Sequence, residues 1–532
     1  MTSNTLKQAV FTGLMLLAPL PALTTAAAKE RPKNVLILLS DDQGYCELGS
    51  FMDFATAENL GSEHAQKYRD IKATTDKQAT IEVCFEAARK SMPNIDALAK
   101  RGVRFTNFHA APTCSPSRAA LMTGRYPQGF GVYSNGDVEG RGESGIPPAV
   151  NFPVKLFQEA GFATGMFGKW HLGSETGQSP NDRGFDYFFG FDRAHTEKYD
   201  SKILQRNGEK TPAVGWLADQ ISDEAVAFLD RSHKEQKPFF LYVAYNEPHG
   251  PTSKPPQAYI DHFKSGSELV DIHFATIYGM DQGIGRIFEE LKRTGRLEDT
   301  LILFGSDNGL AQGVYHKGFS AKPGSYFVPV PGNGPLRGCK WTPWEGAVRV
   351  PFIASLPNGT VKTTQALASI MDVIPTALDF AGIKAPDTYR IDGESFLPIL
   401  QGKSDGDPRR LLFWASDADE PFGDFGPAYD RLETELAAHK EIGTDRSQRL
   451  PPAWFALTPQ WKLMGWDTID PVLIDLTKDV GERNNVAAGH PDVVKALRAK
   501  FDSWISRQAT PKNFSKEQWR KLFTAADKKT GD

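Results

Sequence analysis

The pattern of apolar and polar positions along the chain predicts strands that are buried on both faces. Continuous apolar runs rich in Val, Leu, Ile and Phe, each closed by polar or charged residues, recur along the first three hundred or so positions. Such runs are typical of strands in a parallel sheet that helices cover on both sides. The runs are residues 34–39, 162–167, 239–245 and 301–304.

Helical patterns lie between these runs, with apolar residues at three- and four-residue spacing. The alternation predicts an α/β fold with a large, mixed, mostly parallel sheet sandwiched by helices. In such a sheet the ligand site lies beyond the carboxyl ends of the strands. The polar residues that follow each apolar run are therefore expected to lie at the edge of the sheet where a ligand site is expected. The predicted helices are residues 93–102, 221–232, 274–294 and 369–381.

A polar, turn-rich stretch at residues 402–408 predicts a boundary. We divide the mature chain there into a large N-terminal domain, residues 29–405, which carries the candidate site residues described below, and a C-terminal subdomain, residues 406–532. In the subdomain, short strand patterns and a helical pattern at residues 492–508 predict a small antiparallel sheet with a covering helix. The charged, irregular residues 420–452 are typical of a long surface insertion. The strand patterns are residues 411–414, 453–457, 461–464 and 472–476.

The N-terminus resembles a signal peptide over residues 1–28. An apolar run at residues 9–23 precedes Ala26 and Ala28, which fit a small-x-small cleavage site. An uncleaved membrane anchor is less favoured, because the run is short and contains two prolines. We expect export to the periplasm or the extracellular space, with no membrane attachment after cleavage.

Composition and charge narrow the class of protein. The chain has 532 residues, of which 40% are hydrophobic and 24% charged, as in ordinary globular proteins. A formal net charge of −4 argues against nucleic-acid binding but allows an anionic small-molecule substrate. Four cysteines are too few for disulfides to hold the fold. A pairing of Cys46 with Cys84, which leaves Cys339 unpaired, and three free thiols beside Cys114 both remain open.

Two pairs of polar residues at strand ends indicate a cation site. Asp41 and Asp42 follow the first apolar run, and Asp307 and Asn308 follow the last. A lone Asp-Asp pair after a strand is more often a helix cap. Two such pairs on separate strands, with a cysteine motif between them along the chain, favour ligands instead. Three carboxylates and an amide oxygen are hard donors that suit Ca²⁺ or Mg²⁺ rather than Zn²⁺.

The most specific motif of the chain is C-S-P-S-R at residues 114–118, which continues as A-A-L-M-T-G-R. A free cysteine is most often a buried, inert residue, and one at a helix N-terminus can be an activated thiolate. The residues after Cys114 argue against both. They resemble the signature C-x-P-S-R-x-x-x-L-x-T-G-R of the sulfatase family, whose fold is that of the alkaline phosphatase superfamily.

The resemblance implies that Cys114 is converted after translation to formylglycine by a formylglycine-generating enzyme that reads Pro116 and Arg118. It also implies one calcium ion, held by the two strand-end pairs together with the modified residue and a sulfate oxygen. Arg118 would be a fixed cation beside the aldehyde hydrate. One hydroxyl of the hydrate attacks sulfur and expels the alcohol, and loss of the proton from the other releases sulfate. Neither serine nor unmodified cysteine can take that second step.

Two histidines and a lysine belong to the same resemblance. The run G-F-A-T-G-M-F-G-K-W-H, residues 161–171, resembles the second sulfatase signature. It implies that Lys169 contacts the sulfate and the hydrate, and that His171 accepts a proton from the hydrate. His249 resembles the histidine that hydrogen-bonds and protonates the leaving-group oxygen. Taken alone, a Lys-x-His at a strand end or a loop histidine between prolines is weak evidence.

A further segment supplies the second lysine. The run L-R-G-C-K, residues 336–340, resembles the family's L-R-G-x-K and makes Lys340 the second sulfate-binding lysine. In the E-G-G-x-R-V-P motif that follows, Ala347 replaces a glycine, a change expected to affect packing. Residues 473–485 resemble a common C-terminal sulfatase motif. Most other lysines are expected to be solvated charges.

We therefore predict an exported sulfuric ester hydrolase that acts on an aryl or carbohydrate sulfate. A phosphonate or phosphodiester hydrolase with the same formylglycine chemistry, and a catalytically inactive sulfate-binding protein, are the alternatives. Residues 49–90 and 310–333 look longer than a minimal sulfatase needs. The second segment, rich in Gly, Pro and aromatics, is predicted either to wall the substrate pocket or to be a plain surface loop.

Overall fold

The structure is a computed structural model that describes residue 1 and residues 33–511 except 57–58, 61–79, 136–144, 251–252, 312–313, 316–325, 328–330, 417–452 and 467–468. The predicted signal peptide beyond residue 1, the insertion predicted at residues 420–452 and most of residues 310–333 lie outside the described residues. The elements named below all belong to one compact unit, Lys33–Asp532.

The strands of the described residues form one ten-stranded sheet, one four-stranded sheet and two strand pairs. In chain order they are β1 (Asn34–Asp41), β2 (Val103–Phe105), β3 (Phe108–His109), β4 (Ala163–Lys169), β5 (Tyr187–Phe191), β6 (Gln205–Arg206), β7 (Glu209–Lys210), β8 (Phe239–Pro248), β9 (Thr300–Ser306), β10 (Val314–Tyr315), β11 (Tyr326–Phe327), β12 (Phe352–Ser355), β13 (Lys362–Thr364), β14 (Ala368–Ser369), β15 (Leu412–Ala415), β16 (Ala453–Leu457), β17 (Trp461–Trp466) and β18 (Ile469–Asp475).

The large sheet has the order β13-β2-β12-β9-β1-β8-β4-β5-β6-β7. Its centre, from β9 to β5, is parallel throughout. Antiparallel pairing appears towards both edges, where β12 pairs with β9 and β2 and where β6 pairs with β5. The predicted large, mixed and mostly parallel sheet is therefore confirmed.

Helices cover both faces of the large sheet, except the last helix of the described residues, which packs on the four-stranded sheet. They are α1 (Ile81–Lys90), α2 (Pro93–Ala99), α3 (Cys114–Thr123), α4 (Val154–Glu159), α5 (Leu217–Lys234), α6 (Gln257–Ile260), α7 (Glu268–Arg293), α8 (Glu345–Val348), α9 (Val373–Ala381), α10 (Leu397–Leu400) and α11 (Pro491–Ile505). Short 3-10 helices lie at Gly49–Phe54, Pro127–Phe130, Asn181–Arg183, Leu297–Asp299, Ile370–Asp372 and Ala487–Gly489.

The central strands are apolar throughout because both of their faces are buried. Alternate residues of a strand point to opposite sides of the sheet. In β1, Val35 and Ile37 share an apolar cluster with residues of α3 and α9, whereas Leu36 and Leu38 share another with residues of α5 and α7. The predicted sandwich of helices around the sheet is confirmed.

Three predicted helices begin elsewhere than their apolar spacing indicated, and one of them, α5, begins at Leu217, four residues before the predicted start at residue 221. The helix α7 starts six residues before the predicted start at residue 274, at Glu268, because Ser267 caps it by accepting a hydrogen bond from the N–H of Val270. Its first turn is acidic, so apolar periodicity does not reveal it. The segment predicted at residues 369–381 begins with a capping box made by Ser369 and Asp372 before α9 follows.

The C-terminal strands β15 to β18 form an antiparallel sheet in chain order. Phe501 and Trp504 of α11 pack on this sheet in a separate apolar cluster. The small antiparallel sheet with a covering helix is therefore confirmed. The boundary near residue 405 stays a prediction, since both sheets lie within the same compact unit.

All four cysteines are buried, and none forms a disulfide. The pairing of Cys46 with Cys84 is therefore absent, and the free-thiol alternative agrees with the structure. Among the residues that the structure describes, no helix combines the length and apolar character needed to cross a bilayer.

Candidate active site

The carboxyl ends of β1 and β9 bring the two predicted pairs of polar residues together. The strands are parallel neighbours in continuous register from Asn34 and Thr300 to Ser40 and Ser306. Asp42 adopts a φ of 61°, a left-handed backbone that Asp tolerates better than most residues do. Its N–H donates to Oδ1 of Asp307 at 3.2 Å. The residues of both pairs are buried: Asp41, Asp42, Asp307 and Asn308.

The helix α3 brings Cys114 to the same edge of the sheet. All ten of its residues are buried, and it ends at Gly124, whose φ of 65° is the left-handed conformation that glycine favours. Sγ of Cys114 lies 3.6 Å from Oδ1 of Asp41 and 3.0 Å from Nζ of Lys340. Burial raises the pKa of the thiol despite the nearby Lys169 and Lys340. Unmodified Cys114 therefore stays protonated, which argues against the thiolate alternative.

Three cationic side chains contact the three carboxylates, and Arg118 contacts two of them, since its Nη2 also lies 3.5 Å from Oδ1 of Asp41. All six side chains of these pairs are buried, so water screens their attraction little. The signature arginine and the two predicted sulfate lysines thus lie at the same strand ends as the predicted ligands. The pairs are Lys169 with Asp41 (Nζ–Oδ2 2.8 Å), Arg118 with Asp307 (Nε–Oδ2 2.9 Å) and Lys340 with Asp42 (Nζ–Oδ1 2.6 Å).

Burial and charge set the carboxyl protonation states unequally. Burial disfavours the ionised form of Asp41, but nearby cations, Lys169 foremost, outweigh it and hold its pKa well below the ordinary value. For Asp307, burial together with the charge of Asp41 outweighs Arg118 and raises the pKa to about 6. A divalent cation at this position would favour the ionised form of each carboxyl, because opposite charge stabilises it.

The structure brings His249 to the carboxylates and His171 to the start of α3. Nε2 of His249 lies 3.6 Å from Oδ2 of Asp42, and Nδ1 contacts the carbonyl of Gly250. Burial lowers the pKa of His249 to about 3, although both neighbouring carboxylates oppose this. The negative charge of a bound ester would raise the pKa again. His171 is buried, and its carbonyl accepts a hydrogen bond from Oγ of Ser115 at 3.0 Å.

These residues fit a hard divalent cation. Ligand atoms of Asp41, Asp42, Cys114 and His249 lie within 4.8 Å of one another. Within the described part of the chain, Oδ1 of buried Asn308 has no hydrogen-bond partner, while Nδ2 donates to Oδ1 of Asp42 at 2.7 Å. A buried amide oxygen without a partner is available to a cation. The oxygen donors suit Ca²⁺ or Mg²⁺, for which an imidazole nitrogen is a poorer ligand.

A close backbone contact positions the loop that follows β9. The N–H of Gly309 donates to the carbonyl of Ala347 in α8 at 2.8 Å. A Cβ on Gly309 would lie 1.8 Å from the carbonyl oxygen of Gly346, and one on Gly346 would lie 2.3 Å from that of Gly338. Ala347, which replaces a glycine of the family motif, is fully buried. The substitution therefore falls where a methyl group can be packed, whereas its neighbour Gly346 has no such room.

Two buried lysines were not anticipated. Lys198 and Lys462 are both fully buried, so the expectation of solvated lysines is wrong for them. Lys198 contacts Asn246 and Glu247 at the end of β8. It lies in an irregular polar loop, where no periodicity or motif marks a buried charge. There is a weak indication in the sequence that Lys462 is buried, since this lysine lies within the short, mostly apolar strand β17.

Comparison with known proteins agrees with this geometry. A sulfatase family model matches residues 33–383. The uncharacterized sulfatase YdeN of Escherichia coli (strain K12) is 35% identical over 530 residues, which cover 92% of this chain and 88% of that protein. The N-acetylgalactosamine-6-sulfatase of Mus musculus is 30% identical over 402 residues, which cover 70% of this chain and 67% of that protein.

Among solved structures, Ps i-CgsB in complex with k-i-k-neocarrahexaose matches with a TM-score of 0.70. The match is 24% identical and covers 94% of this chain and 99% of that chain, which supports the same fold. Because the family model spans most of the chain and a relative of 35% identity matches over nearly its whole length, this protein belongs to the sulfatase family of sulfuric ester hydrolases.

Proposed function

We propose that the protein hydrolyses sulfate esters through a formylglycine hydrate, formed from Cys114, and one divalent cation. The observation that carries the proposal is the position of Cys114 at the start of α3, buried between Asp41 and Lys340. A group at this position meets both the predicted cation ligands and a predicted sulfate lysine, as the nucleophile of this reaction must. An aldehyde hydrate supplies two hydroxyls on one carbon, one for attack and one for release of sulfate.

The cation would be held by Asp41, Asp42, Asp307 and Asn308, with Ca²⁺ as the expected ion and Mg²⁺ as the alternative. It would supply positive charge that favours an ionised nucleophile and offsets the charge of the sulfate. The partnerless amide oxygen of Asn308 and the three buried carboxylates support this assignment.

The remaining residues bind the sulfate or move protons. Lys169 and Lys340 are both held by carboxylates at 3.0 Å or less, so their charges are fixed in position before a sulfate binds. Arg118 also donates to the main-chain carbonyl of Lys169 at 2.9 Å, which fixes the guanidinium relative to the end of β4. His171 accepts a proton from the nucleophile. His249 hydrogen-bonds and protonates the leaving-group oxygen.

The substrate would be an aryl or carbohydrate sulfate. A sulfated saccharide is favoured because one relative is named an N-acetylgalactosamine-6-sulfatase and a structural neighbour was solved with a neocarrahexaose. We also propose that the enzyme is exported to the periplasm or beyond, as its N-terminal sequence indicates.

The first experiment is a peptide mass spectrum of the tryptic fragment 105–118 from protein made in its native host. Replacement of sulfur by oxygen with loss of two hydrogens would support the formylglycine chemistry. Turnover of a sulfate monoester and a phosphodiester with the same leaving group is then compared, and a preference for the sulfate is expected. An intact Cys114 thiol in active protein would contradict the proposal.

A further inference from the structure

A buried lysine joins the loop between β5 and β6 to the end of β8. Nζ of Lys198 lies 3.5 Å from Oε1 of Glu247, and both side chains are fully buried. The same ammonium donates to the carbonyl of Asn246. A second contact runs the other way, since Nδ2 of Asn246 donates to the carbonyl of Thr196 at 3.2 Å. The loop is therefore attached to the last residues of the strand at two points.

These contacts hold the segment that carries His249. Asn246 and Glu247 are among the last residues of β8, directly before His249. Oε2 of Glu247 accepts a hydrogen bond from the N–H of Asn246 at 3.1 Å. The loop also reaches the imidazole itself. His195 stacks on His249, with ring centroids 5.8 Å apart and an interplanar angle of 14°. Both the backbone before His249 and its ring thus contact the loop that Lys198 anchors.

Stability alone is a poor explanation of this ion pair. Burying an ammonium and a carboxylate carries a large desolvation penalty, and a well-packed apolar pair of similar volume is often at least as stable. The separation of 3.5 Å between Lys198 and Glu247 is also longer than that of a strong charge-assisted hydrogen bond. An ion pair with this desolvation penalty, next to His249, indicates that it serves to hold the His249 segment in position.

We propose that Lys198 is a positioning residue that holds His249 in the orientation from which it protonates the leaving-group oxygen. The proposal rests on the proposed function, because it acts through the role given there to His249. A misdirected His249 slows esters with basic leaving groups most, since a weakly basic phenolate departs without a proton. Loss of Lys198 therefore changes the preference between esters, which a general loosening of the fold does not.

The test compares Lys198→Met with the wild type on phenyl sulfate and para-nitrophenyl sulfate, two similar esters whose leaving groups differ in basicity. We expect kcat/KM for phenyl sulfate to fall about tenfold or more and that for the nitrophenyl ester to change less than about twofold. Lys202→Met removes an exposed lysine from the same loop. As the matched control, it should leave both values unchanged.

A second variant distinguishes loss of positioning from loss of stability. This control is needed because removal of one partner from a buried ion pair is strongly destabilising. The double variant Lys198→Met, Glu247→Gln removes both charges together and should keep a melting temperature near that of the wild type. It is expected to show the same selective loss. An equal loss on both esters, or no loss on either, would overturn the proposal.

His249→Ala separates this proposal from the one it rests on. A selective loss on phenyl sulfate supports the acid role of His249, and selectivity in the Lys198 variants then supports positioning. If His249→Ala slows both esters equally, the acid role is wrong and the positioning proposal falls with it. If His249→Ala is selective and the Lys198 variants are not, only the positioning proposal is wrong.

Discussion

At the scale of single residues, the charges around Cys114 are balanced. Within the described residues of the site, three carboxylates contact three cationic side chains. A divalent cation would make the site positive, and an anionic sulfate ester would offset part of that excess. Each ligand should therefore favour the binding of the other, because the coupling between two sites is reciprocal. Lys340 contacts both Cys114 and the predicted ligand Asp42.

Lys340→Met should destabilise the cation-free protein more than the calcium-loaded protein, whereas its loss of activity should persist when calcium is bound. The substitution leaves Asp42 buried without its partner at 2.6 Å, which costs about 3–5 kcal/mol in the free energy of unfolding. Calcium would restore most of that loss by neutralising Asp42. The activity loss, about 10²–10³-fold in kcat/KM, should remain, since a sulfate contact is missing. Denaturant unfolding with chelator and with calcium, together with steady-state kinetics, checks this. A stability deficit that calcium does not change would place the ion away from Asp42.

Residues with a local motif could be predicted, and residues defined by tertiary contact could not. Cys114 and Lys340 stand in runs whose spacing is itself the signal. Lys198 has no such run, because its partner Glu247 is 49 positions away and belongs to another element. A buried ion pair between a loop and a strand end leaves no periodic trace in either segment.

At the scale of elements, strand order explains how the site is assembled. The order β9-β1-β8-β4 sets the carboxyl ends of four parallel strands side by side. Their closing residues, Asp307, Asp41, His249 and Lys169, therefore meet along one edge. The apolar runs predicted the strands and the polar residues at their ends. They could not predict the antiparallel insertion of β12 between β9 and β2, because pairing between distant segments depends on how the chain crosses over.

Gly309→Ala should weaken cation binding without touching a ligand. The added Cβ would lie 1.8 Å from the carbonyl oxygen of Gly346, so the loop that carries Asp307 and Asn308 must move away from α8. Calorimetric titration with calcium should show an affinity lower by about tenfold, which corresponds to about 1.4 kcal/mol. Gly489→Ala is the control, since no heavy atom lies within 4 Å of its added Cβ. Unchanged calcium affinity in Gly309→Ala would show that the loop does not set the site.

A buried carboxyl between two helices should make stability depend on pH. Asp281 in α7 accepts hydrogen bonds from the N–H groups of Asn94 and Ile95 at the start of α2, both at 3.0 Å. Burial raises the pKa of Asp281 from 3.8 to about 7. Since the folded protein holds this proton more tightly, the contribution to stability is full below the unfolded pKa of 3.8 and is lost as the pH rises to about 7.

The test of this pH dependence is urea unfolding of the wild type and Asp281→Asn. The free energy of unfolding of the wild type should fall relative to the variant by up to about 1.4 kcal/mol per pH unit within that window, and the difference should be constant above it. Glu289→Gln changes an exposed carboxyl of the same helix and serves as the control. Parallel profiles for the wild type and Asp281→Asn would contradict a raised pKa.

At the scale of the whole molecule, a buried ionic cluster joins the C-terminal sheet to the loops of the site. Nζ of Lys462 in β17 lies 2.9 Å from Oε1 of Glu345 and 2.9 Å from Oε1 of Glu482. Glu345 opens α8 and also lies 3.1 Å from Nε2 of His109, which precedes the Cys114 segment. The polar composition of residues 402–408 predicted a domain boundary. Local composition does not reveal an ion pair between distant segments, such as that of Lys462 with Glu345, that crosses this boundary.

Lys462→Met should therefore weaken the whole unit and reduce activity without any preference between esters. The variant leaves Glu345 and Glu482 buried together without their shared cation, which costs about 3–5 kcal/mol in the free energy of unfolding. Glu345 and His109 lie on the segments that lead to Lys340 and Cys114. The variant would therefore displace the sulfate-binding Lys340 and the nucleophile at position 114 together. The values of kcat/KM for phenyl sulfate and para-nitrophenyl sulfate should thus fall by the same factor, in contrast to the selective loss expected for Lys198→Met.

Calorimetric unfolding and the two values of kcat/KM check this prediction. The double variant Lys462→Met, Glu482→Gln should recover part of the lost stability, because it removes one of the two unpaired carboxylates. Wild-type stability and kinetics in Lys462→Met would mean that the C-terminal sheet does not support the site.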